Sequence, residues 1–355
     1  MSGANKQERI LMVGAGAVGQ AYGYHLSQGG AQVAYLVKEK HRVEAEAGFV
    51  LHRHRLLRRP KTFTFGDFDV FTDYDEVEEH QWDQVWLCVS SPALRGEWLA
   101  DLAGRIGGAT LVSLQPGVDD QRRIEDVYDP DKIAFGLITL IAYQAPLIGK
   151  NGPVEDLAPG VAYLLPPMTP IPFSGPPGRV EAVAHALERG GCSAVVDQDT
   201  PKTAAFGGAI MNCAIAGLEV AGWSLARFRK TPALEISTAA GKEALRIVGL
   251  YHWTKVPLAM TTLRRPELLG SALAVVPALM PFDLEVYLEY HFTKVGDQTR
   301  QIIGDFIALG EDQGHPTRAL RVLRRLLEGR GPQRLGATET SETSEPQRTQ
   351  SLRGR

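Results

Sequence analysis

The chain has 355 residues, 44% of them hydrophobic and 22% charged, enough for two globular domains that each bury a core. A formal net charge of −3 supplies no basic field for a nucleic-acid backbone or an anionic membrane, so both are excluded as partners and a small-molecule substrate is expected. Three widely spaced cysteines, Cys88, Cys192 and Cys213, argue against a disulfide framework or a metal site, and the polar start Met1 to Arg9 lacks the apolar core of a secretory signal, so a cytoplasmic location is expected.

In chain order, the first half alternates short apolar runs with helical patterns, the signature of βαβ units around a parallel sheet. Ile10 to Val13 reads as a strand, Gln20 to Gln28 as a helix closed by Gly29 and Gly30, and Gln32 to Val37 as a second strand. Between the first strand and the helix lies Gly14-Ala15-Gly16-Ala17-Val18-Gly19, a GxGxxG placed where a dinucleotide site needs it. Gly14 permits the tight turn, Gly16 lets the backbone approach a pyrophosphate, and Gly19 lets helix and strand pack closely. About 20 residues on, an NAD site usually carries an acid for the ribose hydroxyls; here the chain reads Val37-Lys38, and a lysine suits a 2'-phosphate. The expected cofactor is NADPH.

His52-Arg53-His54-Arg55, with Arg58, Arg59 and Lys61, is the densest basic run and reads as a solvated edge hairpin, with an anion-binding rim as the alternative. Further strands are expected at Gln84 to Val89, Thr110 to Leu114, Ile133 to Leu140, Val161 to Leu165 and Ser193 to Val196. Ser90 and Ser91 follow the first of these and Gln115 the second, where Rossmann loops approach the cofactor, so Ser90 and Gln115 are placed in its site, with helix capping as the alternative for the serines; Tyr143 and Gln144 are weaker candidates. The proline-marked turn near residue 200 predicts a boundary: a Rossmann domain over 1–199, an all-α substrate or oligomerisation domain over 200–328, and a disordered tail over 329–355. The apolar stretch Ala204 to Ala226 contains Asn212 and Glu219 and reads as a buried helix rather than a membrane span. Leu268 to Phe282, interrupted by Pro277 and Pro281, reads equally as core or as an oligomer face.

With these features the chain resembles the ketopantoate reductase family over about residues 8 to 328, through the glycine motif, Lys38, Gly117, Gly136, Asn212-Cys213 and the segment Gly304 through Pro316. The resemblance implies NADPH-dependent reduction of a 2-oxo acid or related carbonyl or imine, and leaves monomer and homodimer both open. It also exposes departures. The family's lysine four residues before Asn212 is Gly208, its asparagine before Gly117 is Pro116, its second helix asparagine is Ala216, and its acid six before Gly304 is Gln298. The expected replacements lie on one helix over Glu289 to Phe306, where His291, Lys294 and Gln298 share a face: Lys294 with Asn212 for catalysis, His291 and Gln298 for substrate. Lys202 reads as a solvated first-turn residue that would reach toward Gly208 only by swinging its amine. A nucleotide-binding protein without turnover is the alternative from another class.

Overall fold

The structure, a computed structural model, describes residues 7–56, 58–115, 117, 119–258, 260 and 265–329. Its first 196 residues contain strands β1 (Arg9–Val13), β2 (Gln32–Leu36), β3 (Phe49–Arg55), β4 (Arg58–Phe65), β5 (Asp69–Phe71), β6 (Gln84–Leu87), β7 (Thr110–Ser113), β8 (Ile133–Gly136), β9 (Ile141–Ala145), a small hairpin of β10 (Ile148–Gly149) and β11 (Gly152–Pro153), β12 (Gly160–Leu164), β13 (Ile171–Ser174) and β14 (Ala194–Val196). Interleaved with them are helices α1 (Ala17–Gln28), α2 (Arg42–Glu46), α3 (Tyr74–Glu78), α4 (Trp98–Arg105), α5 (Asp120–Glu125) and α6 (Arg179–Arg189).

The main sheet has the order β14-β13-β8-β7-β6-β1-β2-β5. Strands β5 through β8 pair in parallel around β1, as continuous apolar runs buried on both faces do. The sheet is nevertheless mixed, because β13 runs antiparallel to β8. The expected strand Ile133 to Leu140 stops at Gly136, where an added Cβ would lie 2.4 Å from the Phe173 ring, and the chain turns into β9.

A second sheet, β4-β3-β12-β9, was not foreseen as a unit. It corrects the reading of the basic run. Alternation along β3 turns His52 and His54 inward, 2% and 4% exposed, while Arg55 stays exposed. His52 bonds Thr62 Oγ1 and the Ala158 carbonyl, both at 2.9 Å, and His54 Nε2 meets the Tyr143 hydroxyl at 2.6 Å. The expected strand at Val161 to Leu165 belongs here, as β12, between β3 and β9.

The rest is helical: α7 (Thr200–Val220), α8 (Leu225–Lys230), α9 (Pro232–Tyr251), α10 (Pro266–Leu279), α11 (Leu284–Lys294), α12 (Gly296–Asp312) and α13 (Arg318–Glu328). Helix α7 is long and apolar enough to cross a membrane, but its inner face is packed. Ala209, Cys213 and Ala216 meet Ala240 and Ala244 of α9 in one core cluster, and a Cβ on Gly217 would fall 1.8 Å from Ser237 Oγ. Small residues here let two helix backbones approach. On α10, Leu269, Leu273 and Val276 pack inward, while Leu268, Val275 and Leu279 are exposed.

Helical and β regions do not keep separate cores. Tyr143, Ala162 and Leu164 from the second sheet, with Leu147 just after β9, share one cluster with Ile215, Leu218, Trp223, Phe282 and Tyr287.

Candidate functional site

The first element of the site is a loop shaped by three glycines. Gly14 follows β1 with φ +100°, the left-handed region, and its N–H donates to the Leu36 carbonyl at 3.0 Å. Gly19 lies against that turn: a Cβ there would sit 2.3 Å from the Gly14 carbonyl oxygen. Gly16 is different, since a Cβ on it would meet nothing within 4 Å. It is exposed, and it caps α1 with extended backbone and no side-chain capping bond. Ala15, Ala17 and Val18 pack against the core beneath. The open side of the loop thus presents a 12-residue helix N-terminus to solvent, a ready anion site that fits the pyrophosphate of a dinucleotide. Gln20 pins the loop by donating from Nε2 to the Ala15 carbonyl at 2.9 Å, a residue that sequence reading passed over.

Beyond β2, the Val37 N–H donates to the Phe71 carbonyl, and Lys38 stands exposed at the start of a short 3-10 turn. The neighbouring acid Glu39 is held by Arg42 at 3.4 Å, and Arg42 also bonds Thr72 Oγ1 at 2.6 Å. Arg42 is therefore engaged locally, while Lys38 is exposed to solvent.

On the other side of β1, the ends of β6 and β7 are tied by Gln115. Its Nε2 donates to the carbonyls of Leu87 and Val89 at 2.9 and 2.8 Å, and its Oε1 accepts from Ser113 Oγ and the Leu114 N–H. All of its amide is used, so Gln115 ties the loops after β6 and β7 together. Ser90 is exposed, with no capping bond to the turn it begins, and Ser91 is buried. The Gly117 N–H donates to Asp120 Oδ2 at 2.7 Å, and burial pushes the Asp120 carboxyl above the usual range. Pro116 lies outside the described residues, as does the expected tail beyond residue 329.

Between the first domain and the helices runs a cleft lined by Gln115, Gly117, Phe135, Thr200, Ala204 and His252, among others. Asn212 and Gly208, farther along α7, pair with each other: Asn212 Nδ2 donates to the Gly208 carbonyl at 2.9 Å. Lys202 is paired with Asp199 at 3.1 Å. Tyr143 is buried, donates to Glu155 at 2.9 Å and lies outside the cleft lining.

The expected single helix over Glu289 to Phe306 is two helices, α11 and α12, broken at Val295 (φ −109°, ψ 22°). The common face is thereby divided. Lys294 is the exposed last residue of α11. His291 stacks on Tyr287 at 5.4 Å, and burial, assisted by Lys294, lowers its pKa to about 4. Gln298 belongs to α12, at the spacing that gives it one face with Gln301 and Asp305. Asp305 reaches Arg95 of the first domain at 3.9 Å, so this face, not that of Lys294, is turned toward the cofactor domain. None of Lys294, His291, Gln298 or Asn212 lines the cleft that Gln115 and Gly117 share. Thr200 and His252 do, and sequence reading missed both; 52 positions and three helices, α7 through α9, separate them, with no local spacing to signal it.

Residues 10–150 match the model of the family described as ketopantoate reductase PanE/ApbA. No curated protein matches the chain. Among solved structures, a PanE/ApbA family ketopantoate reductase from Ralstonia eutropha JMP134 is 18% identical, with TM-score 0.68 over 90% of this chain and 97% of that one. A 2-dehydropantoate 2-reductase from Geobacter metallireducens GS-15 is 18% identical, with TM-score 0.66 over 91% of this chain and 99% of that one. D-mandelate dehydrogenase, solved with NADH and anilino(oxo)acetate, is 15% identical, with TM-score 0.67 over 90% and 97%. The resemblance to the ketopantoate reductase family thus holds in sequence over residues 10–150 and in fold over 90% of the chain.

Proposed function

We propose that the protein is a nicotinamide-dependent oxidoreductase, selective for NADPH, that reduces the carbonyl of a small 2-oxo acid or related ketone or imine. The observation that carries this reading is the glycine loop: an uncapped 12-residue helix N-terminus at the end of β1, presented to solvent. Bound there, a reduced nicotinamide would supply hydride to a carbonyl carbon. The protein's part is to hold the dinucleotide on the Gly14–Gly19 loop, to engage the 2'-phosphate with Lys38 and to keep the loops after β6 and β7 in register through Gln115.

A second reading, nucleotide binding without turnover, draws support from Gly208 at the family's lysine position and from the Asn212 amide turned onto the Gly208 carbonyl. Calorimetric titration with NADPH and NADH, followed by a screen of 2-oxo acids for loss of NADPH absorbance, separates the two. The expected result is at least tenfold tighter binding of NADPH, with turnover of at least one acid. Binding without turnover would favour the second reading, and failure to bind either nucleotide would overturn both.

A further inference from the structure

We propose that Thr200 and His252 form the pocket that recognises the substrate's carboxylate, at the N-terminal end of α7; this rests on the oxidoreductase reading above. Thr200 is 1% exposed, lines the cleft, and its hydroxyl has no hydrogen-bond partner. An unpaired buried hydroxyl has given up its water without a replacement, so a native site that keeps one asks for a partner. The backbone of Thr200 is anchored separately, its N–H donating to Ser174 Oγ at 2.9 Å, which leaves the hydroxyl available to a ligand.

The surrounding features favour an anion. Helix α7 has 21 residues and directs the positive end of its dipole at the cleft. Its first-turn donors are already used: the Lys202 N–H goes to Asp199 Oδ1 at 3.0 Å, and Pro201 has none. The helix therefore contributes field, and the directed bond must come from a side chain. Opposite stands His252, at the C-terminal end of α9, half-buried in the same lining. Among the described residues no hydrogen bond fixes its ring. The charges acting on it are Asp199 and Lys202, both from the start of α7. Burial lowers its pKa, Asp199 opposes this and Lys202 adds to it, so near neutral pH the free pocket holds a neutral ring, and an arriving carboxylate would favour the imidazolium and draw a proton from solvent.

The position suits the chemistry. The cleft includes Gln115 and Gly117 on the loop after β7, and the nicotinamide half of a dinucleotide crosses from β1 toward that side of the sheet. Phe135, Ala204 and Ala205 supply apolar walls, as expected for a small organic acid.

The test uses the full chain saturated with NADPH, with oxamate, a 2-oxo acid mimic that is not reduced, as the probe. Nucleotide affinity is measured first by calorimetry. Wild type is expected to bind oxamate with net proton uptake near neutral pH, and the His252 ring resonance to titrate at higher pH when oxamate is present. Thr200→Val and His252→Gln should each weaken oxamate at least tenfold and leave NADPH affinity unchanged, while Thr200→Ser keeps binding. If Thr200→Val fails to fold, Thr200→Ser and His252→Gln decide the matter. Wild-type oxamate affinity in His252→Gln, or NADPH binding with no oxamate binding in the wild type, would overturn the carboxylate pocket alone. Absence of NADPH binding would overturn the oxidoreductase reading and the pocket with it.

Discussion

Gly16 and Gly19 look equivalent in a motif and are opposite in space. An alanine at Gly19 would press its methyl to 2.3 Å from a backbone oxygen, which cannot yield without separating α1 from β1, whereas an alanine at Gly16 would point into open space. Gly19→Ala should therefore cost about 1–3 kcal/mol of folding stability in a urea titration, as overpacking does. Gly16→Ala should unfold like the wild type and yet bind NADPH at least tenfold more weakly, because its methyl occupies the approach of the pyrophosphate. Equal stability for the two variants would remove the distinction. At Lys38 the prediction concerns selectivity: Lys38→Glu should reverse the preference from NADPH to NADH in competitive titration, and an unchanged ratio would exclude contact with the 2'-phosphate. These residues are legible in the sequence because their geometry depends on neighbours within a few positions. Thr200 and His252 are not, since their meeting depends on the packing of α9 on α7.

The element least legible in sequence is the β3–β4 hairpin. Its alternation of histidine and arginine resembles a solvated strand, but the histidines turn inward in a second sheet whose other members, β9 and β12, begin 76 or more positions after the hairpin ends. Pairing at that range leaves no local pattern. The break between α11 and α12 was hidden for a related reason: Val295 and Gly296 fit the helical spacing of their neighbours, and only the packing of the two helices shows that the chain turns. Inside the hairpin's core, His54 meets the Tyr143 hydroxyl, which donates to Glu155, while Glu155 also accepts the Leu147 N–H at 2.8 Å. Tyr143→Phe takes the partner from the buried His54 Nε2 and one bond from the half-buried Glu155, and should cost about 1–3 kcal/mol. Burial, and secondarily His52, lowers the His54 pKa to about 4, below its unfolded value of about 6.5. The unfolded chain therefore binds more protons in that interval, and stability present above pH about 6.5 is lost as pH falls toward 4. His54→Gln should flatten the dependence of Tm on pH across this window; a slope equal to the wild type would assign the acid sensitivity to other groups.

At the scale of the whole molecule, the boundary near residue 200 divides secondary structure but not the core. The buried faces of β9 and β12 are completed by Ile215 and Leu218 of α7, by Trp223, and by Phe282 and Tyr287 around α11. Arg95 and Asp305 add a second link between the first domain and α12, and burial raises the Asp305 carboxyl while Arg95 opposes the rise. Residues 1–199 alone would expose Tyr143, Leu147, Ala162 and Leu164 together, an apolar surface that monomeric domains rarely leave to water. The full chain is therefore expected to unfold in one calorimetric transition, with calorimetric and van't Hoff enthalpies in agreement. A fragment ending at residue 199 should lose the near-ultraviolet dichroism of its packed aromatic residues and show no cooperative melt. A fragment that melts cooperatively would mean that the Rossmann region completes its own core, and that the cleft is bounded by two independent bodies. One cooperative unit carries a functional consequence: a dinucleotide anchored on the glycine loop of the first domain should raise the melting of the entire chain, including the helices that hold Thr200 and His252.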